Sequence, residues 1–147
     1  MSDNNNLVSV SDAIIEGFRQ YSADKTADIK KETTKIARKV KEEIIEKSPV
    51  RVVRTPTRSR QTRRVALNPR RQPGAYKAGW TTEKKEQGQR LTVRIYNKTN
   101  YQLVHLLELG HRNRNGTYTQ GKAHVKPAEE KGRQELDTAI DRILRSD

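Results

Sequence analysis

From Ser9 to Lys47 the chain carries one apolar stripe at helical spacing, through Ile15, Phe18, Ile29, Ile36, Val40 and Ile44, and no proline intervenes before Pro49. Apolar residues recurring near the 3.6-residue period, with charges between them, define an amphipathic helix. Ser9 followed by Asp12 resembles a capping box at its start, and Pro49 ends it. The stripe fails around Ser22 to Thr26, where a break or an exposed stretch is expected. So long and narrow a stripe finds too little of its own core on a chain of 147 residues. It is expected to pack against a neighbouring copy. Composition points the same way, since apolar residues make up 31% of the chain and charged ones 33%, below the apolar share of an ordinary globular domain.

Charge is distributed unevenly along the sequence. The net charge is +13, yet Met1 to Ser11 carries -1, Asp12 to Pro49 +1 and Val125 to Asp147 -1. Val50 to Gly74 carries +8 with no acidic residue, and Ala75 to His124 adds +6. The arginines of the middle segment, Arg51, Arg54, Arg58, Arg60, Arg63, Arg64, Arg70 and Arg71, are interleaved with Thr, Ser, Gln and the prolines at 56, 69 and 73. This is the pattern of an extended, mobile loop, and concentrated arginine implies a polyanion or an acidic protein surface as its target.

Beyond the loop, Trp80 to Lys85 and Leu91 to Tyr96 read as two strands joined at Gln87-Gly88-Gln89, because Leu91, Val93 and Ile95 alternate with polar residues. Tyr101 to Leu109 changes to a helical period, and Gly110 stands where a left-handed cap is expected. His111 to Gln120 reads as a polar loop, Gly121 to Val125 as a short returning strand, and Pro127 opens a last helix to about Arg145. The fold class is α+β: a small antiparallel sheet packed by a long N-terminal helix, a short middle helix and a C-terminal helix. Met1 to Val8 is expected to be a flexible N-terminus. Residues 9–147 are expected to form a single domain with a basic insertion loop at about 51–73.

Several kinds of chemistry lack their residues. With no cysteine there is no disulfide, thiol nucleophile or Cys-based zinc site. No glycine-rich phosphate loop, G-x-S-x-G or G-x-G-x-x-G is present. His105, Glu108, His111 and His124 form the one cluster able to hold a metal, but H-x-x-E-x-x-H is not a metalloprotease spacing, and these histidines read better as lining a turn or subunit contact. Glu108 is open to two readings, a raised pKa in an apolar helix or a structural pair with Arg94, Arg112 or Arg114. Neither a catalytic residue nor a cofactor or metal is expected. No apolar run approaches the length of a membrane span and the polar start is unlike a secretory signal, so a soluble chain made in the cytoplasm is expected. With no aromatic platform among the arginines, any DNA contact would be to the backbone.

Six segments carry a resemblance. Ser48-Pro49, Arg54-Thr55, Gly74-Ala75-Tyr76-Lys77-Ala78-Gly79-Trp80, Val93-Arg94-Ile95-Tyr96-Asn97, Tyr101 to His111 and Ala123-His124-Val125-Lys126-Pro127-Ala128-Glu129 follow one another in the order of the neck or tail-component family of tailed bacteriophages. The chain resembles that family from about Ile36 to Ile143, and departs from it by inserting Pro56 to Pro73 between Thr55 and Gly74. The resemblance implies a non-catalytic virion protein whose copies form a ring in the neck, joining the portal or head-completion assembly to the tail and lining the DNA channel. It implies a cyclic homo-oligomer, six copies preferred over twelve, touching portal-side ring proteins and tail tube or tail terminator proteins. Trp80, Tyr101, Glu108, Gly110 and Pro127 are assigned to fold and subunit contacts, and the loop arginines to DNA or a partner protein. The alternative from another class is a non-specific nucleic-acid-binding module using the same arginines. A metal-dependent nuclease built on the histidine cluster is the weakest reading.

Overall fold

The computed structural model describes residues 4–50 and 69–146. Its elements are helix α1 (Asn4–Lys47), a 3-10 turn (Pro69–Arg71), α2 (Ala75–Ala78), β1 (Trp80–Gln87), β2 (Arg90–Asn97), a second 3-10 turn (Tyr101–Leu103), α3 (Val104–Leu109), β3 (Gly110–Arg112), β4 (Tyr118–Gln120) and α4 (Lys126–Arg145). The fold is α+β, with a long helix, two small antiparallel sheets and a C-terminal helix.

Helix α1 begins at Asn4, five residues before the start expected at Ser9 and inside the segment expected to be a flexible N-terminus, and it runs unbroken through Ser22 to Thr26. Polar residues there interrupt the stripe without interrupting the backbone: Thr26 Oγ1 donates to the Ser22 carbonyl at 2.7 Å and Gln20 donates to Asp24 at 3.1 Å, both within the helix. Lys25 supplies the stripe position in the gap. Its ammonium donates to the carbonyls of Ile143 (2.9 Å) and Ser146 and to Ser146 Oγ (3.0 Å), placing a cation at the C-terminal end of α4.

Helix α4 lies antiparallel along the second half of α1. Ion pairs Lys131–Glu43 (3.1 Å), Lys39–Glu135 (3.2 Å) and Arg142–Glu32 (3.9 Å) mark the register. Such exposed pairs add little stability individually. The seam itself is built from Ile36, Val40 and Ile44 of α1 against Ala128, Gly132, Ala139 and Ile143 of α4. A Cβ placed on Gly132 would overlap Cγ2 of Val40, so the glycine lets the two backbones approach. Gly132→Val is expected to lower stability by about 1–3 kcal/mol through overpacking, despite its better helix propensity. An unchanged thermal midpoint would mean that the seam relaxes freely and would sink this account.

The β1–β2 hairpin pairs Trp80 with Asn97 through to Gln87 with Arg90. Gly88, at φ 57°, is the first of two turn residues, and Gln89 has no positive φ, the II′ pattern that suits hairpin twist. Leu91, Val93 and Ile95 are half-buried on one face, and Lys30 of α1 ties the hairpin end by donating to Glu86 (2.7 Å) and the Gly88 carbonyl (2.6 Å).

Two expectations change in the next segment. His111 to Gln120 is not all loop: β3 pairs antiparallel with β4, His111 opposite Thr119 and Arg112 opposite Tyr118. This hairpin shows no apolar alternation because polar turn chemistry holds it, with Asn113 Nδ2 on Thr117 Oγ1 and Thr119 Oγ1 at 2.9 Å each. Gly121 to Val125 is not a strand. Its N–H groups go elsewhere, Lys122 to the Leu107 carbonyl (2.7 Å) and His124 and Val125 to the Glu108 carboxylate.

Candidate functional site

Helices α2 and α3, strands β1 and β2 and the start of α4 converge where α1 ends. Ser48 closes α1 with its N–H and Oγ on the Ile44 carbonyl (2.9 and 2.6 Å), and that Oγ accepts the indole N–H of Trp80 at 3.1 Å. Tyr76 on α2 and Trp80 at the start of β1 meet edge-on at 5.8 Å, and His124 stands edge-on to both at 5.6 and 6.4 Å. Ile44, Val40, Ile45, Ile95, Val104, Leu107, Val125 and Ala128 pack around them. Asn97, buried, donates from Nδ2 to the Tyr76 carbonyl (2.8 Å) and accepts the Asn100 N–H (2.8 Å). Each buried polar group here therefore has a partner.

His124 is fully buried, and its hydrogen bonds assign its tautomer. Nδ1 lies 2.7 Å from the Lys122 carbonyl, which only accepts, so the proton is on Nδ1 and Nε2 accepts the Tyr76 hydroxyl at 2.7 Å. Burial, and secondarily the charge of Glu108, raise the Tyr76 phenol above its ordinary range.

Glu108 is 13% exposed and lies 3.1 Å from His124 Nδ1. Oε2 accepts the N–H groups of His124 (2.9 Å) and Val125 (3.0 Å), and Oε1 accepts that of Lys126 (2.9 Å). The carboxylate thus caps α4 from another helix, meeting donors that Val125 at the N-cap leaves without a side-chain partner. Burial works to raise its pKa, but the three N–H donors and His124 outweigh that, and the net shift is downward. These groups hold Glu108, in place of the expected Arg94, Arg112 or Arg114. Arg94 lies over the Tyr96 ring at 5.4 Å.

Tyr76, His124 and Glu108 form a hydroxyl–imidazole–carboxylate row with the connectivity of a nucleophile, base and orienting acid. Accessibility argues for a structural role: His124 exposes no surface, Tyr76 is 8% exposed, and both Glu108 oxygens are occupied by backbone. Of the other two histidines, His105 is exposed and His111 is half-buried, its Nδ1 without a hydrogen-bond partner among the described residues. Among the described residues no group of three His, Cys, Asp or Glu is placed to hold a metal ion.

The remaining site residues fall in different places. Gly110 follows α3 at φ 82° and ψ 171°, and a Cβ there would meet the Thr119 carbonyl at 2.5 Å and the Gly121 nitrogen at 2.6 Å. Pro127 lies in the first turn of α4, where a missing N–H costs no bond. Tyr101 is 65% exposed. Arg51, Arg54, Arg58, Arg60, Arg63 and Arg64 lie outside the described residues, and Arg70 and Arg71 belong to the Pro69–Arg71 turn. Ser48, Tyr76 and Asn97 stand in the segments that carry the resemblance but had no role assigned to them, and the structure places all three in the junction.

A second feature lies away from the junction. Every residue from Asp12 to Asp24 is exposed, including Ile14, Ile15, Phe18 and Tyr21, because α4 ends at the level of Lys25. Among the described residues no helix is long and apolar enough to cross a membrane.

Comparison with protein families matches residues 12–110 to the HK97-gp10-like family, described as "Bacteriophage HK97-gp10, putative tail-component". Comparisons with curated proteins and with solved structures return no match. The matched region takes in the free part of α1, the hairpin and α3, and ends at Gly110. The chain belongs to the HK97-gp10-like family of phage tail components.

Proposed function

We propose that this tail-component chain is a ring-forming subunit of the phage neck, joining the portal or head-completion assembly to the tail without catalysing a reaction. The observation that carries this reading is the family match across two thirds of the chain. Ten large apolar side chains left exposed among the described residues of one copy support it, since a ring would cover part of that surface. Residues 9–147 act as a single domain bearing a basic insertion at about 51–73. Its arginines, from Arg51 to Arg71, face the DNA of the channel through backbone contacts or an acidic neighbouring ring. Trp80, Glu108, Gly110 and Pro127 maintain the fold, and Tyr101 serves a subunit contact. The ring holds six copies, with twelve the next choice, between portal-side rings and tail tube or terminator proteins in the virion.

Negative-stain imaging over a concentration series, alone and with duplex DNA at two salt concentrations, tests this. Rings or stacked tubes without DNA are expected. Dispersed particles that associate only with DNA, and release it as salt rises, would replace the ring reading with the nucleic-acid-binding module. In that case alanine at the loop arginines should flatten the salt slope by about one phosphate contact each.

A further inference from the structure

We infer that the exposed stretch of α1 from Asp12 to Asp24 is an arm that docks on the β3–β4 end of the next copy, making a head-to-tail contact. This rests on the ring reading and specifies its interface.

The arm continues the same stripe that α4 covers lower down. Ile14, Phe18 and Tyr21 share the helical face of Ile29, Ile36 and Val40, and coverage stops where α4 stops. Phe18 is 71% exposed. The one described large apolar residue more exposed is Leu109, at 74%, and it lies at the other end of the molecule. Leu109 closes α3, whose Glu108 caps the first turn of α4, whereas Lys25 holds the last turn. The 20 residues of α4 therefore separate the two surfaces by about 30 Å, and the arm points further away. One copy cannot cover its own Leu109 with its own arm; a second copy can.

Charge selects this pairing over two arms packing together. Residues 12–24 carry three acids, Asp12, Glu16 and Asp24, against the single base Arg19. Residues 109–122 carry Arg112, Arg114 and Lys122 and no acid. Arm against arm would set like charges together, and arm against the β3–β4 end sets opposite ones together. The apolar parts match as well, since Tyr118, 63% exposed, stands opposite Arg112 and donates its hydroxyl to the Leu109 carbonyl at 2.9 Å. A contact between two different surfaces propagates from copy to copy and closes into a ring when the rotation permits.

The chain has no cysteine, so disulfide trapping reads the contact directly. Phe18→Cys and Leu109→Cys are exposed positions whose substitution leaves the core intact. Each variant of the full chain would be purified, then the two mixed and oxidised mildly. The mixed 18–109 disulfide is expected in about fivefold excess over 18–18 dimers, and to fall as salt rises from about 50 to about 500 mM. Glu16→Lys or Arg112→Glu alone should reduce the yield, and both together should restore it. Dominant 18–18 dimers would overturn the proposal in favour of arm pairing. Rings on the grid without the 18–109 disulfide would overturn this interface and leave the ring reading standing. Dispersed particles at every concentration, without the disulfide, would overturn both.

Discussion

Trp80→Ala is expected to destabilise the chain by about 3–5 kcal/mol, a large part of the roughly 5–15 kcal/mol that holds a domain of this kind together. The indole is 7% exposed, stacks edge-on to Tyr76 and His124, and gives its N–H to the Ser48 hydroxyl that closes α1. Removing it opens a cavity at the point where α1, α2, β1 and the start of α4 meet. It also deprives Ser48 of a donor. Few large residues are buried among the described residues, so little else there can compensate. Trp80→Phe keeps an aromatic ring at the site but loses the N–H and part of the indole's volume, and its cost should be smaller, about 1–3 kcal/mol. Urea unfolding followed by circular dichroism measures both, since the only tryptophan is the one removed. A loss below about 1 kcal/mol in the alanine variant would show that the junction is not where the stability lies.

Replacing Glu108 should have the next largest effect, with a signature in pH. Glu108→Ala leaves three N–H groups at the start of α4 without their acceptor, at a cost of about 2–4 kcal/mol. Because the carboxylate's pKa is lowered on folding, the unfolded chain takes up its proton first as the pH falls. Its contribution is therefore complete above the unfolded value of about 4.3 and is lost as the pH drops through the folded value. The wild-type chain should lose more stability between about pH 5 and pH 3 than Glu108→Gln, whose amide does not titrate. Parallel curves for the two would mean that the cap does not depend on the charge. Glu43 and Glu86 also have lowered pKa values, through Lys47 and Lys131 for the first and Lys30 for the second, but both are present in either protein and cancel in the comparison.

Much of the architecture was legible in the residue pattern. The period of Ile29, Ile36, Val40 and Ile44 marks α1, the alternation of Leu91, Val93 and Ile95 marks β2, and Pro49 and Gly110 stand at real ends. The β3–β4 hairpin was hidden because Asn113, Thr117 and Thr119 hold it by hydrogen bonds, and such residues have the composition of a loop. Gly121 to Val125 reads as a strand for the converse reason. Its short apolar and polar alternation fits a strand locally, but its N–H groups are claimed by α3.

Glu108 shows most sharply where the pattern stops. Its place on a short helix between histidines favours a structural role but does not name its partner. Only the folded chain brings it to the first turn of a helix that begins 18 residues later, where its oxygens are used by backbone donors. His124 and Tyr76 follow the same rule, since a 48-residue separation in the chain closes to 2.7 Å in space. Periodicity, charge segregation and the absence of cysteine are properties read along the chain, and they determined the three longer helices, one hairpin, the fold class and the exclusion of cysteine chemistry. Which polar groups lose water, and which partner each then needs, depends on contacts distant in sequence. The tertiary structure alone decided that the histidine and glutamate pack into the junction and that Asp12 to Asp24 was the stretch of the long helix left uncovered.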